Sequence, residues 1–78
     1  EYLAIFFTHS GAIKFDRKLK SSEMTCELMP VPRKLSSNCG IGAKFLYDAD
    51  NINELIDEEV EKIFLIDRTG YRLVYSEE

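Results

Sequence analysis

From Tyr2 to Thr8 the chain reads YLAIFFT, aromatic and apolar with no polar side chain before the last position. Such a run has neither the three-to-four spacing of a helix stripe nor the alternation of a half-exposed strand, so it predicts a first strand buried on both faces. After it, Ala12, Phe15 and Leu19 fall on one stripe while Lys14, Arg17, Lys18 and Lys20 point outward. That spacing predicts an amphipathic helix over about residues 10–22, capped by Thr8 or Ser10. Residues 25–31 (TCELMPV) are extended, and Pro30 and Pro32 predict an edge strand because proline has no N–H to donate to a ladder. A polar, glycine-bearing loop follows over residues 33–42 (RKLSSNCGIG), and residues 43–47 (AKFLY) return as a third strand. Asp48 or Asp50 is positioned to cap a second helix, with Ile52, Leu55, Ile56 and Val60 on one side and Glu54, Asp57, Glu58 and Glu61 on the other. Residues 62–66 read as a fourth strand. Asp67 and Gly70, at the ends of D-R-T-G, form a type I turn signature leading into a last strand over residues 71–75.

The order β-α-β-β-α-β plus a terminal hairpin predicts an α+β fold of ferredoxin-like split type, with two helices on one face of an antiparallel sheet. No internal repeat or linker divides the chain, which reads as a single domain over residues 1–78. The first strand would offer Tyr2, Ala4 and Phe6 to one face and Leu3, Ile5 and Phe7 to the other. Two helices cover only one of these faces. The other is therefore expected to be covered by the terminal hairpin or by a second subunit, which makes a homodimer one expected state.

Composition narrows the function classes. With 45% of residues hydrophobic the chain is too apolar to be disordered, and its longest apolar run is far shorter than a membrane span. Ten basic against fourteen acidic residues give a net charge of −4, which argues against general nucleic-acid binding. That charge is divided unevenly: residues 1–45 carry +3 and residues 46–78 carry −7. Two cysteines, Cys26 and Cys39, are too few for a disulfide scaffold and fit no common zinc spacing. The expectation is a cytoplasmic protein with reduced thiols, no metal and no cofactor. A chain of 78 residues also has little material for an enclosed substrate cleft, so a carrier or binding protein is favoured over a stand-alone enzyme.

Hairpin connections usually take two to five residues, and a ten-residue connection between the second and third strands points to a functional loop. In the expected topology the end of the first strand, the start of the first helix and this loop share one edge of the sheet. His9, the helix N-terminus, Arg33 and Lys34 would then surround Cys39. Cationic neighbours and a helix N-terminus both favour thiolate over thiol. Ser36 and Ser37 add hydroxyl donors, and Gly40 lets backbone N–H groups approach the sulfur. His9 has a second reading, as a cap or packing group at the sheet end. Cys26, alternating with Leu28, reads as a small core residue. A disulfide between the two cysteines, or a zinc site built from His9, Cys26 and Cys39, is disfavoured by a reducing compartment and by the missing fourth ligand.

The stretch from Met29 to Phe45 (MPVPRKLSSNCGIGAKF) resembles the signature of a family of small bacterial domains described as selenium/sulfur carrier protein-like. The matching motif is P-x-P-R at Pro30 to Arg33, then S-S-x-C-G at Ser36 to Gly40, then a short apolar strand. Thr8-His9 followed by Ala12 is similar to the family's N-terminal pattern, and Lys34 departs from the acidic residue frequent after P-R. The resemblance implies that Cys39 carries sulfur or selenium, with Arg33, Ser36, Ser37 and Gly40 as its surrounding motif. It also implies a donor enzyme and an acceptor protein as partners. The other reading is a ferredoxin-like binding or regulatory module that dimerises through its sheet. There Arg33, Ser36, Ser37 and Gly40 form an anion nest for an anion or partner protein, and Cys39 is incidental. A purely structural subunit would leave the long loop unexplained.

Overall fold

The computed structural model describes residues 1–32, 35, 40–47 and 52–77. Its centre is β1 (Tyr2–Phe6), which pairs antiparallel with β3 (Ile41–Phe45) on one side and β4 (Val60–Asp67) on the other. β2 (Cys26–Pro30) lies outside β3 and β5 (Gly70–Ser76) outside β4, giving a five-stranded antiparallel sheet in the order β2-β3-β1-β4-β5. The central place of β1 follows from its composition. Leu3, Ala4, Ile5 and Phe6 are all completely buried, a run of four that no other strand among the described residues has.

One α-helix is present among the described residues, α1 (His9–Ser21). Thr8 caps it, its Oγ1 accepting from the Gly11 N–H at 3.0 Å. Ala12, Phe15 and Leu19 enter the sheet face formed by Ala4, Phe6, Ala43, Phe45 and Ile63. Phe15 meets Phe6 at a ring-centre distance of 5.1 Å and Phe45 at 5.3 Å, while Tyr2 stacks on Phe45 at 5.5 Å. Tilted and edge-on aromatic contacts of this kind add about 0.5–1.5 kcal/mol each beyond area burial.

The expected second α-helix is not formed among the described residues. Between β3 and β4 the described residues form only a short 3-10 helix, Ile52–Leu55, and the expected caps Asp48 and Asp50 lie outside the described residues. The physical reason sits at Asp57. Its Oδ1 accepts from the Glu59 N–H at 2.9 Å and its carbonyl from the Val60 N–H at 3.2 Å, a turn that competes with helix propagation. Val60, expected on the helix stripe, starts β4 opposite Phe6. The described residues are therefore α+β, with one α-helix and a five-stranded antiparallel sheet, and they do not show the two helices of the expected ferredoxin-like unit.

The second sheet face is largely closed within the single chain. Leu3 and Ile5 are completely buried, and Phe64, beside Leu3 in the register, is 8% exposed with Tyr71 of β5 edge-on to it at 6.4 Å. The terminal hairpin, expected to lie over this face, instead extends the sheet, with β5 as its edge strand beside β4. Its turn is held by Asp67 Oδ1, which accepts from both the N–H and the hydroxyl of Thr69, at 2.8 and 2.6 Å. No helix among the described residues is long and apolar enough to cross a membrane.

Candidate functional site

The long loop is closed at its base by the sheet. β2 and β3 pair from Cys26 opposite Phe45 to Pro30 opposite Ile41, and the ladder takes one further step, the Val31 N–H donating to the Gly40 carbonyl at 3.0 Å. Within the loop, the Leu35 N–H donates to the Pro32 carbonyl at 3.0 Å. β3 begins two residues earlier than the sequence pattern predicts, and Gly42 explains why. A Cβ at Gly42 would lie 2.8 Å from the Ala4 carbonyl oxygen of β1, so glycine permits the close approach of the two strands. Gly40 is glycine for another reason. It is exposed, open space surrounds its missing side chain, and its φ is +73°, a conformation that L side chains rarely adopt.

Of the residues that the sequence singles out, His9 and Gly40 are described. Arg33, Lys34, Ser36, Ser37 and Cys39 lie outside the described residues. The registers Ile5 opposite Gly42 and Pro30 opposite Ile41 place the loop base at the sheet end where β1 leaves for α1. His9, the first residue of α1, is exposed at that same edge.

The electrostatics of this edge include a carboxylate that the sequence pattern does not reveal. The Thr8 hydroxyl donates to Glu59 Oε1 at 3.1 Å, and a Cβ on Gly11 would stand 2.7 Å from the Glu59 Cβ. Glu59 therefore already sits at the positive end of the α1 dipole, where the sequence pattern predicts Cys39. Glu59 is held there by contacts 51 residues apart in sequence, beyond the range of any local pattern.

Cys26 lies at the opposite end of the sheet, 8% exposed, in the core under α1. Its pKa is pushed up to about 12, first by burial and then by the Asp16 carboxylate, which attracts the thiol proton and repels the thiolate; Lys20 opposes this weakly. Asp16 is itself buried, its Oδ2 held by Lys20 Nζ at 3.1 Å and its Oδ1 lacking a regular hydrogen-bond partner. The signal for Asp16 was available in the sequence, because it lies on the same stripe as Ala12, Phe15 and Leu19. His9 and Cys26 belong to opposite ends of the sheet, which separates two of the three ligands of the disfavoured zinc site. Among the described residues no group of three His, Cys, Asp or Glu side chains is placed to hold a metal ion.

Residues 1–65 match the model of a family described as "Putative Se/S carrier protein-like". The chain belongs to this family. No curated protein and no solved structure is found to match it. The matched segment contains β1, α1, β2, the loop with Cys39, and β3, and it ends inside β4. β5, an edge strand of the sheet, lies outside the matched segment.

Proposed function

We propose that this protein is a sulfur or selenium carrier in which Cys39 takes the cargo as a persulfide or selenopersulfide from a donor enzyme and delivers it to an acceptor protein. The family membership carries this reading. In the loading step the Cys39 thiolate attacks the terminal sulfur of a donor persulfide. A new S–S bond forms on Cys39, the donor's S–S bond breaks, and the donor cysteine leaves as thiolate. Delivery repeats the exchange with an acceptor nucleophile. No electrons are gained or lost overall, so the carrier needs no cofactor and does not act as a stand-alone enzyme.

Three observations support the assignment to Cys39. Its neighbour Gly40 is exposed on a loop whose base is pinned by the β2–β3 ladder, an arrangement suited to entering another protein's active site. The remaining thiol, Cys26, is buried and strongly disfavours ionisation. Arg33 and Lys34 are cations within the loop sequence, which favour a thiolate, and His9 stands exposed at the same sheet edge. Arg33, Ser36, Ser37 and Gly40 would then serve as donors around the cargo. A carrier of this kind works in the reducing cytoplasm, where thiols stay free.

The test is direct. Incubation with a cysteine desulfurase and cysteine should add one sulfur to the peptide containing Cys39, read by mass spectrometry. The alkylation rate of Cys39 against pH should show a pKa below the free-thiol value of about 8.5; a pKa near 7 would raise the thiolate fraction at neutral pH more than tenfold. A thiol that titrates at the free value and never gains sulfur refutes the reading. Replacing His9 with Ala should slow alkylation at neutral pH.

A further inference from the structure

We propose that β5 is a self-association edge, at which a second copy of this chain adds its own β5 antiparallel and the two five-stranded sheets join into one. The sheet has two edge strands, and they are guarded unequally. β2, at one edge, is five residues long, carries Glu27 and ends in Pro30, which has no N–H to donate to a further strand. β5, at the other, is seven residues long, has no proline, and has only β4 beside it among the described residues. A strand with one neighbour turns the outer half of its peptide groups away from the ladder, in position to pair with another strand. The middle of β5 is exposed from Arg72 to Val74, Leu73 by 51% and Val74 by 41%.

The pattern along this edge fits a second copy of itself. Arg68, in the turn before β5, and Arg72 near its start are exposed; Leu73 and Val74 form its middle; Glu77, just past its end, is exposed as well. An antiparallel pair of identical strands sets the start of each beside the end of the other. Cation then meets anion twice across the two-fold axis, with the apolar residues at the centre. Asp67 stands at the same start, but its Oδ1 is taken by the N–H and hydroxyl of Thr69. A register irregularity sharpens the fit: Arg72 lies opposite Leu65 and Tyr75 opposite Ile63, so β5 takes three steps where β4 takes two. Arg72 and Glu77 are an odd number of positions apart, and the extra residue brings them to the same face of the sheet. That is the face under α1, to which Ile63 belongs. The Tyr75 hydroxyl donates to Glu77 Oε2 at 2.8 Å and so holds the carboxylate there.

The two-fold axis of such a pair stands perpendicular to the sheet. Both α1 helices therefore lie on one face of the joined sheet, and the two loop bases lie at its opposite ends. In this arrangement the second subunit expected over the sheet face is met at the edge instead. The contact is small. Seven residues at about 3.4 Å each make a ladder of about 24 Å, less than a standard protein interface provides, so the pair is a reversible dimer that depends on concentration.

The experiment is sedimentation velocity on the full chain from about 10 μM to about 1 mM, a range that brackets the dissociation constants of small contacts. The parent should pass from monomer to dimer across it. Arg72→Glu sets a carboxylate against the partner's Glu77, and Glu77→Arg sets two guanidinium groups together, so each should weaken the dimer about tenfold. The double variant restores opposite charges in reversed order and should return the dissociation constant to within about threefold of the parent value. Val74→Lys, which brings two ammonium groups to the axis, should leave a monomer throughout. All three positions are exposed, and circular dichroism checks that each variant keeps the parent fold. A parent that stays monomeric up to about 1 mM overturns the proposal and leaves the edge to a segment of another protein. A dimer indifferent to the single charge reversals overturns it too, because the contact then lies elsewhere. So does a double variant no tighter than the singles.

Discussion

Two glycines flank the base of the loop, and they should respond to substitution for opposite reasons. At Gly42 an alanine methyl would stand 2.8 Å from the Ala4 carbonyl oxygen, 3.1 Å from Leu3 Cδ1 and 3.2 Å from Val31 Cγ2. The two side chains can yield, but Ala4 is completely buried in the central strand, and its carbonyl moves only if β1 moves. Overpacking of this kind costs about 1–3 kcal/mol, offset by about 0.5–1 kcal/mol because alanine loses less backbone freedom on folding than glycine. The net expectation for Gly42→Ala is a loss of about 1–2 kcal/mol. In a 78-residue domain that lowers Tm by roughly 5–15 °C. At Gly40 there is open space, and Gly40→Ala is opposed only by φ at +73°, which costs about 1–2 kcal/mol. Asparagine distinguishes the two sites, since it tolerates the left-handed region but is larger than alanine. Gly40→Asn should recover part of the loss, whereas Gly42→Asn should be worse than Gly42→Ala. Urea unfolding of the four variants, followed by circular dichroism, measures all of these differences. A Gly42→Ala protein as stable as the parent, or asparagine ranked alike at both positions, would refute the account of how β3 docks on β1.

Thr8→Ala should cost about 1 kcal/mol, because it removes both the cap on the Gly11 N–H and the hydroxyl that holds Glu59; thermal unfolding checks this, and an unchanged Tm would show that the α1 start is held by packing alone. Cys26 should make folding pH-dependent on the alkaline side. A thiol in the unfolded chain titrates near 9.0, whereas in the folded chain burial and Asp16 raise it to about 12. Between those values the unfolded state has lost the proton that the folded state keeps, so stability is full below about pH 9 and falls as pH rises, with a limiting slope of about 1.4 kcal/mol for each step of one in pH. Cys26→Ala should flatten that fall, and equal slopes in parent and variant between about pH 9 and about pH 11 would contradict it.

The contribution of the sequence differs from element to element. The unbroken apolar run from Tyr2 to Phe7 made β1 legible, because a strand without polar positions has no choice but the middle of a sheet. The spacing of Ala12, Phe15 and Leu19 made α1 legible, and the prolines placed β2 on an edge, where the structure puts it. The loop was visible from its length, although its upper boundary was not: Gly42 reads as loop in a local pattern and is a strand residue because β1 lies against it. The second helix failed for a related reason. Ile52, Leu55, Ile56 and Val60 have helical spacing, but Val60 is drawn into pairing with Phe6, and the Asp57 side chain closes a turn that stops the helix.

The sequence by itself determined the kinds of local structure and the candidate chemistry: one strand dry on both faces, one amphipathic helix, a loop bearing the S-S-x-C-G motif around Cys39. Those properties depend on neighbours a few residues apart, and periodicity and composition record them. The tertiary structure alone decided what the carboxylates of Glu59 and Asp16 meet. Glu59 reaches the start of α1 across 51 residues of chain, and Asp16 meets Cys26 only when β2 is laid beneath the helix. Both contacts join residues far apart in the chain, so only folding brings them together, and burial in the same core raises the pKa of the Cys26 thiol.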